Sequence, residues 1–201
     1  MKLKTLFLLS SLLLSACSIT GPPSNTLDVC EIFQEKKSWY KAANRSEERW
    51  GVPVSVSMAF IKQESSFIAA AKPPRVKVLR FIPWKRQSSA KGYSQAIDGT
   101  WEMYLNERGK WLKSRNNFDD AVDFIGWYNA KSIKKFNIKN TNAKDLYLAY
   151  HEGWAGYTRK SYRKKPWLIK VAVKVQKQSN VYNGQYKECK QKLGKKVFKL
   201  F

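Results

Sequence analysis

Residues 53–67 read PVSVSMAFIKQESSF, and this segment carries the most informative pattern in the chain. Its first half alternates apolar and polar residues, so a strand is one interpretation. A helix is favoured because a proline suits the first turn of a helix and because apolar residues recur at i, i+4 and i+7 in Val54, Met58 and Ile61. Glu64 lies three residues after Ile61 and continues this apolar face. The pattern therefore predicts a helix with a carboxyl group on its interior side.

The position predicted for Glu64 has a chemical consequence. Removing a carboxyl group from bulk water disfavours its charged form and raises its pKa. A general acid needs such a pKa near neutral pH, because it must hold its proton until the leaving oxygen accepts it. The structural alternative is that Glu64 pairs with an arginine or caps the following turn. Glu64 is therefore a candidate general acid.

The pattern of apolar residues predicts one mainly α domain over residues 28–189. A short tether, residues 17–27, precedes this domain, and a basic tail, residues 190–201, follows it. The stretch from Lys72 to Lys91 contains three prolines and little periodicity, so we expect a long basic loop there.

Helix boundaries are predicted from capping residues and apolar spacing. A first helix covers residues 32–43 and ends before Gly51. Asn117 and Asn142 each precede a helix, since each has an aspartate three residues later. Pro166 is predicted to begin the last helix.

The N-terminus predicts export from the cytoplasm. Lys2 and Lys4 precede an apolar stretch over residues 6–14. This stretch is shorter than the roughly 20 residues that a membrane-spanning helix needs. Its proportions are typical of a secretory signal peptide, here residues 1–16.

The end of this signal peptide reads LSAC at residues 14–17, which resembles the lipobox of bacterial lipoproteins. The resemblance implies that Cys17 becomes the first mature residue and carries the lipid. Ser18 is not the aspartate that usually retains such proteins in the inner membrane. We therefore expect a lipid anchor in the inner leaflet of the outer membrane, with the domain facing the periplasm. The alternative is an ordinary signal peptide and an incidental cysteine.

The cysteine count is compatible with export. The chain has three cysteines, and acylation of Cys17 would leave Cys30 and Cys189. These two can pair in an oxidising compartment and would then join the start of the domain to its end. Two buried free thiols are the alternative.

The net charge restricts the class of partner. Lys and Arg total 38 against 15 Asp and Glu, which gives a formal charge of +23. Nucleic acid is the usual partner of so basic a protein, but the signal peptide argues against it. Peptidoglycan carries carboxylates on its peptides and lactyl groups, and a basic surface would raise its local concentration. Anionic phospholipid or lipopolysaccharide is a second candidate partner.

Two short motifs follow the Glu64-Ser65 pair. They read GYSQ at residues 92–95 and AYHEG at residues 149–153. Together the three resemble, in the same order, the Glu-Ser, Gly-Leu-Met-Gln and Ala-Tyr-Asn signatures of the soluble lytic transglycosylase family. The resemblance covers residues 52–156 and implies the mainly α, lysozyme-like fold of goose lysozyme.

The resemblance also implies roles for individual residues. Glu64 would be the catalytic acid/base, and Ser65 would support the helix end and orient the carboxylate. Gln95 would line the cleft, with the backbone around Gly92 close to the sugar. Tyr150 would place its hydroxyl near Glu64. The candidate substrate-binding residues are Ser65, Gly92, Tyr93, Gln95, Tyr150 and His151.

The chain departs from the family at two of these motifs. Tyr93-Ser94 replaces Leu-Met, and His151 stands where the family has Asn. His151 is the single histidine of the chain, which rules out a zinc site of the His-Glu-x-x-His type. We expect neither a metal nor another cofactor.

The family's reaction suits a single glutamate. Ordinary glycosidases use two carboxyl groups, whereas lytic transglycosylases use the 6-hydroxyl of N-acetylmuramic acid as the attacking group and leave a 1,6-anhydro product. A hydrolase would need a second carboxylate. The candidates are Asp98, Glu102, Asp119, Asp120 and Asp123, although a turn or a helix start explains Asp98, Asp119 and Asp120 better.

Three functions remain open from the sequence. The first is a lytic transglycosylase of peptidoglycan, and the second is a lysozyme-like hydrolase with the same fold. The third is a non-catalytic lipoprotein that binds the cell wall. A secreted nucleic-acid binder is a remote fourth, and it would bind DNA in a salt-sensitive way.

Overall fold

The computed structural model describes residues 21–78, 82–86, 88–109 and 111–198. In chain order its elements are α1 (Val29–Glu35), α2 (Lys37–Trp50), α3 (Val54–Ser65), β1 (Arg75–Val78), β2 (Ile82–Arg86), α4 (Asp98–Arg108), α5 (Phe118–Phe136), α6 (Ala143–Thr158), a 3-10 helix (Ser161–Lys164) and α7 (Pro166–Phe198). The predicted mainly α fold is confirmed. The signal peptide and Cys17 lie outside the described residues.

Helix α3 is the central element of the fold. Nine of its 12 residues are buried, because α2, α5 and α7 pack around it. A helix that is buried on nearly all sides needs no polar face, which explains why its small serines alternate with apolar residues. The helical interpretation of residues 53–67 is confirmed, and the strand interpretation is wrong.

The helix starts predicted from capping residues are confirmed. The side chain of Asn117 accepts a hydrogen bond from the backbone of Asp120 at 3.2 Å. Asn142 caps α6 in the same way through Asp145, at 3.1 Å. Pro166 is the first residue of α7.

The first predicted helix is divided in two. The chain leaves helical geometry at Lys36, between α1 and α2. The two helices have different partners, since α1 packs on α7 and α2 packs on α5. The break depends on the direction in which each helix packs, so the apolar spacing along residues 32–43 did not reveal it.

Helix α7 is longer than predicted. It continues through residues 190–198, where we expected a separate basic tail. Leu193 is buried in this part of the helix, and the hydroxyl of Tyr40 lies 3.4 Å from the Lys190 carbonyl. These contacts with the start of the domain hold this part of α7 against the protein, although a separate basic tail was predicted there.

The predicted loop over residues 72–91 contains a β-hairpin. Strands β1 and β2 are antiparallel, with Arg75 opposite Arg86 and Val78 opposite Ile82. The alternation of basic and apolar residues at the start of this segment is the signal that could have predicted a strand. Among the described residues, no helix is long and apolar enough to cross a membrane.

Cys30 of α1 and Cys189 of α7 form a disulfide, with their Cα atoms 6.0 Å apart. The bond closes a loop with a sequence separation of 159 residues. It fixes the first helix of the domain to the last one. A cross-link across so long a loop restricts the unfolded chain strongly, by about 5 kcal/mol on the chain-entropy estimate.

Reduction of this disulfide should lower the thermal stability of the protein. We expect the melting temperature to fall by about 10 °C or more when a reductant is added. The Cys30→Ser, Cys189→Ser double variant should melt at the lower temperature with or without reductant. Equal melting temperatures for the oxidised and reduced wild type would contradict a stabilising bridge.

Candidate active site

The three sequence motifs meet around a cavity of about 500 Å³. The last turn of α3, the loop before α4, and helices α5 and α6 form its walls. The polar residues that line it include Glu64, Gln95, Tyr128, Tyr150, His151 and Glu152. Motifs separated by up to about ninety residues in sequence are therefore brought to one concave site, which is the usual form of a ligand site.

Glu64 lies in the last turn of α3, and its side chain is partly exposed to the cavity. Burial raises the pKa of its carboxyl group to about 7, although a hydrogen bond with Tyr147 opposes the shift. Near neutral pH the group is populated in both protonation states, so it can donate or accept a proton. Within the described part of the chain, no arginine or lysine forms an ion pair with Glu64, which removes the structural alternative of an arginine partner.

Tyr147 is a site residue that the sequence analysis missed. It lies on α6, and the interaction of its hydroxyl with the Glu64 carboxyl group lowers the pKa of that group. Burial keeps the pKa of this hydroxyl well above its ordinary value, and the nearby Glu64 raises it further. Tyr147 therefore stays a proton donor in the hydrogen bond. Its position three residues before Tyr150, on the same face of α6, was the available signal.

Tyr150 lines the cavity beside Glu64, as expected, but its hydroxyl has a different partner. It donates a hydrogen bond to the backbone carbonyl of Ser94 at 2.6 Å. The ring of Phe60 on α3 contacts the rings of Tyr147 and Tyr150 edge-on, with distances of 5.3 and 5.4 Å between the ring centroids. Tyr150 thus joins the third motif to the second and holds the two walls of the cavity together.

The glycine of the second motif is needed for a contact inside the protein. Gly92 has φ +78°, and a Cβ atom there would lie 2.0 Å from the backbone oxygen of Arg115. Gly92 is therefore required by the close approach of its backbone to the Arg115 segment, and its contact with a sugar stays a prediction. Gln95 lines the cavity as predicted. Its amide also donates to the carbonyls of Ala71 at 2.9 Å and Gly92 at 2.8 Å, which fixes the turn.

Three predicted substrate-binding residues do not line the cavity: Gly92, described above, and also Tyr93 and Ser65. Tyr93 is buried between the rings of Trp39 and Phe118, at 5.5 and 5.6 Å. Ser65 is also buried, and its hydroxyl donates to the Ile61 carbonyl at 3.0 Å. Tyr93 thus belongs to the aromatic core, because its ring is buried against Trp39 and Phe118. Ser65 stabilises the end of α3.

Glu152 is a second carboxyl group on the cavity wall, and the sequence analysis did not consider it in this role. Its side chain is only 3% exposed and lies 2.7 Å from the ammonium group of Lys165. It also accepts a hydrogen bond from Ser161, and Nδ1 of His151 lies at 3.2 Å. Burial raises the pKa of Glu152, but these three partners outweigh it, so the pKa is lowered and the group stays ionised.

The backbone turns sharply after Glu152. Gly153 has φ 69° and ψ 162°, which interrupts the helical geometry of α6. Glycine reaches this conformation without the steric cost that a side chain would add. The interruption lies on the cavity wall and separates the tyrosine-bearing part of α6 from its last turn.

The five acidic residues considered as second carboxylates do not line this cavity. Asp123 is buried, where Tyr104 donates to it at 2.7 Å and Trp50 at 2.9 Å. Burial raises the pKa of Asp123, but these bonds and Arg49 lower it overall. Ion pairs hold three of the others, Asp98, Asp119 and Asp120. Glu102 is exposed on α4. Within the described residues, no group of three or more His, Cys, Asp or Glu side chains is arranged to hold a metal ion.

The raised pKa of Glu64 should make stability depend on pH. The folded state keeps a proton that the unfolded state releases between about pH 4.5 and 7, so ionisation destabilises the fold as the pH rises through this range. Glu64→Gln removes this cost. We expect the variant to be more stable than the wild type by about 3 kcal/mol at pH 8, and by less than about 1 kcal/mol at pH 5.

Thermal unfolding at the two pH values measures this difference. Glu48→Gln, which replaces a carboxyl group at an exposed position on α2, is the matched control. An equal effect of Glu64→Gln at pH 5 and pH 8 would show that burial does not perturb the carboxyl group.

Comparison with known proteins identifies the family of the chain. The sequence matches the family described as Transglycosylase SLT domain over residues 5–189. No curated protein matches the chain. Since the family match spans most of the sequence, the chain belongs to the transglycosylase SLT domain family.

Proposed function

We propose that the protein is a peptidoglycan lytic transglycosylase with Glu64 as its single general acid/base. It would cleave the β-1,4 bond between N-acetylmuramic acid and N-acetylglucosamine and leave 1,6-anhydro ends. Family membership supports transglycosylase activity and a peptidoglycan substrate. The observation that carries the proposal is a carboxyl group whose pKa is raised to about 7 at the wall of a cavity.

The reaction uses Glu64 twice. In the first step the protonated carboxyl group gives its proton to the glycosidic oxygen as the bond from that oxygen to C1 of the muramic acid breaks. In the second step the carboxylate takes the proton of the 6-hydroxyl group, and the oxygen of this hydroxyl group forms the new bond to C1. The proton lost in the first step is recovered in the second, so the enzyme returns to its initial state. A pKa near 7 serves both transfers.

Two tyrosines support this cycle as positioning residues. The hydrogen bond from Tyr147 favours the charged form of Glu64, and it therefore stabilises the carboxylate between the two steps. The bond from Tyr150 to the Ser94 carbonyl fixes the wall that carries Gln95. The rings of both tyrosines pack edge-on against Phe60, and this packing would reduce the reorganisation needed during the reaction.

Glu152 is the observation that favours a second candidate, a hydrolase in which a carboxylate activates water. The group lines the cavity and is ionised. However, Lys165, Ser161 and His151 already occupy its oxygens. Activation of a water molecule would require Glu152 to leave these partners, so the single-glutamate mechanism is preferred.

The product decides between the two reactions. We expect purified peptidoglycan digested with the protein to yield 1,6-anhydro-muramyl ends, detected by mass spectrometry. Glu64→Gln should reduce their yield by about a hundredfold or more, because it removes the general acid. Glu152→Gln should slow the reaction but keep the anhydro product. Reducing ends would establish a hydrolase, and full activity of Glu64→Gln would refute the assignment.

We further propose that lipidated Cys17 anchors the protein in the inner leaflet of the outer membrane, where it faces the periplasm. The lipobox-like sequence at residues 14–17 and the Cys30–Cys189 disulfide support this location, since disulfides persist in oxidising compartments. Cys17→Ser should release the protein from washed membranes into the soluble periplasmic fraction. Unchanged membrane association of this variant would argue for a different anchor.

A further inference from the structure

The segment that follows α6 is strongly basic. Residues 159–165 read RKSYRKK, so five of seven residues are cationic. Lys165 pairs with Glu152 at 2.7 Å. The other four are exposed, and none forms an ion pair with another described residue. We call these four residues, Arg159, Lys160, Arg163 and Lys164, the cationic rim.

The cationic rim is attached to the wall of the active-site cavity. Ser161 and Lys165, from the same segment, both bind Glu152, which lines the cavity. The ring of Tyr162 stacks on Tyr157 of α6 at 5.4 Å. These contacts hold the 3-10 helix against α6, so the backbone that carries the four exposed cations is attached next to a residue of the cavity wall.

An exposed tryptophan lies next to this segment. Trp167 is 55% exposed at the start of α7. Its ring is 5.3 Å from that of His151, which lines the cavity. His151 therefore lies between the cavity that contains Glu64 and the exposed ring of Trp167, which follows the cationic rim in the sequence.

Four like charges within six residues repel one another when no anion is present. The nearby carboxylate of Glu152 does not relieve this repulsion, because Lys165 already neutralises it. An anionic ligand would do so. Arginine and lysine both bind carboxylates, and arginine can do so through two parallel hydrogen bonds.

We propose that the cationic rim binds the carboxylates of the peptide stems on the glycan strand that occupies the cavity. The substrate would then be peptide-bearing peptidoglycan in preference to bare glycan. This inference rests on the proposed function. A strand held beside Glu64 carries its peptides with it, so a second contact at the rim is intramolecular and adds affinity at little further cost in entropy.

Variants with matched charge test this proposal. Lys160→Gln, Arg163→Gln, Lys164→Gln removes three charges from the rim. Lys174→Gln, Lys177→Gln, Lys187→Gln removes three from exposed positions on α7 and is the control. Each set is combined with Glu64→Gln in the full-length protein, and binding to soluble glycan strands is measured with and without their peptide stems. The melting temperatures of both variants are measured to establish that they fold.

The rim variant should bind peptide-bearing strands about tenfold more weakly, which corresponds to three surface attractions of ordinary strength. Its binding to strands that have lost their peptides, with the freed lactyl carboxylates converted to amides, should be unchanged, and the control should match the parent on both. With Glu64 intact, the rim variant should raise KM for peptide-bearing strands and leave kcat unchanged. Equal losses on both strands, or an equal loss in the control, would overturn the proposal.

Salt dependence and lipid binding provide two further tests of the rim. The preference of the parent protein for peptide-bearing strands should decrease as salt is raised, because exposed charges are screened. A salt-independent preference would overturn the role of the rim.

Lipid binding is tested with vesicles that contain phosphatidylglycerol. If the rim variant loses binding to these vesicles but binds peptide-bearing strands as the parent does, the rim is a lipid contact instead. If the binding preference persists but no anhydro ends form, the proposed reaction fails while the rim assignment stands.

Discussion

The burial of α3 is the constraint on which the site depends. Helices α2, α5 and α7 enclose it, and its last turn ends at the cavity. The Glu64 carboxyl group lies in that turn, at the wall of the cavity. Its charged form is therefore disfavoured by the same packing that stabilises the fold. Glu64 acquires a pKa of about 7 from this position, and no like-charged neighbour is needed to produce the shift.

Two opposing effects set the protonation of Glu64. Desolvation raises its pKa, whereas the hydrogen bond with Tyr147 lowers it. Their balance leaves both protonation states accessible near neutral pH, which an acid that must also act as a base requires. Glu152 has the opposite balance. It is also desolvated, but Lys165 and Ser161 hold it in the charged form. Two carboxyl groups on one cavity thus have separate chemistry because their partners differ.

The junction between α6 and α7 joins the cavity to the surface. The interruption at Gly153 ends the part of α6 that carries the two tyrosines. The 3-10 helix then returns to Glu152 through Ser161, and α7 begins beside His151. A single buried carboxylate therefore organises both one wall of the cavity and the cationic segment beyond it. This arrangement relates the high charge of the chain to a particular place next to the site.

The mainly α fold, the helix that carries Glu64 and the starts of three other helices could be predicted from the sequence, because apolar spacing and capping residues act locally. The sequence did not determine which side chains meet across helices. Tyr147 and Glu152 lie at the site, and Tyr93 lies in the core, because of packing between segments that are distant in sequence. The same limit hid the role of Gly92, whose close neighbour is Arg115. Local patterns predict which face of a helix is buried, but the residues that this face contacts depend on how distant segments pack together.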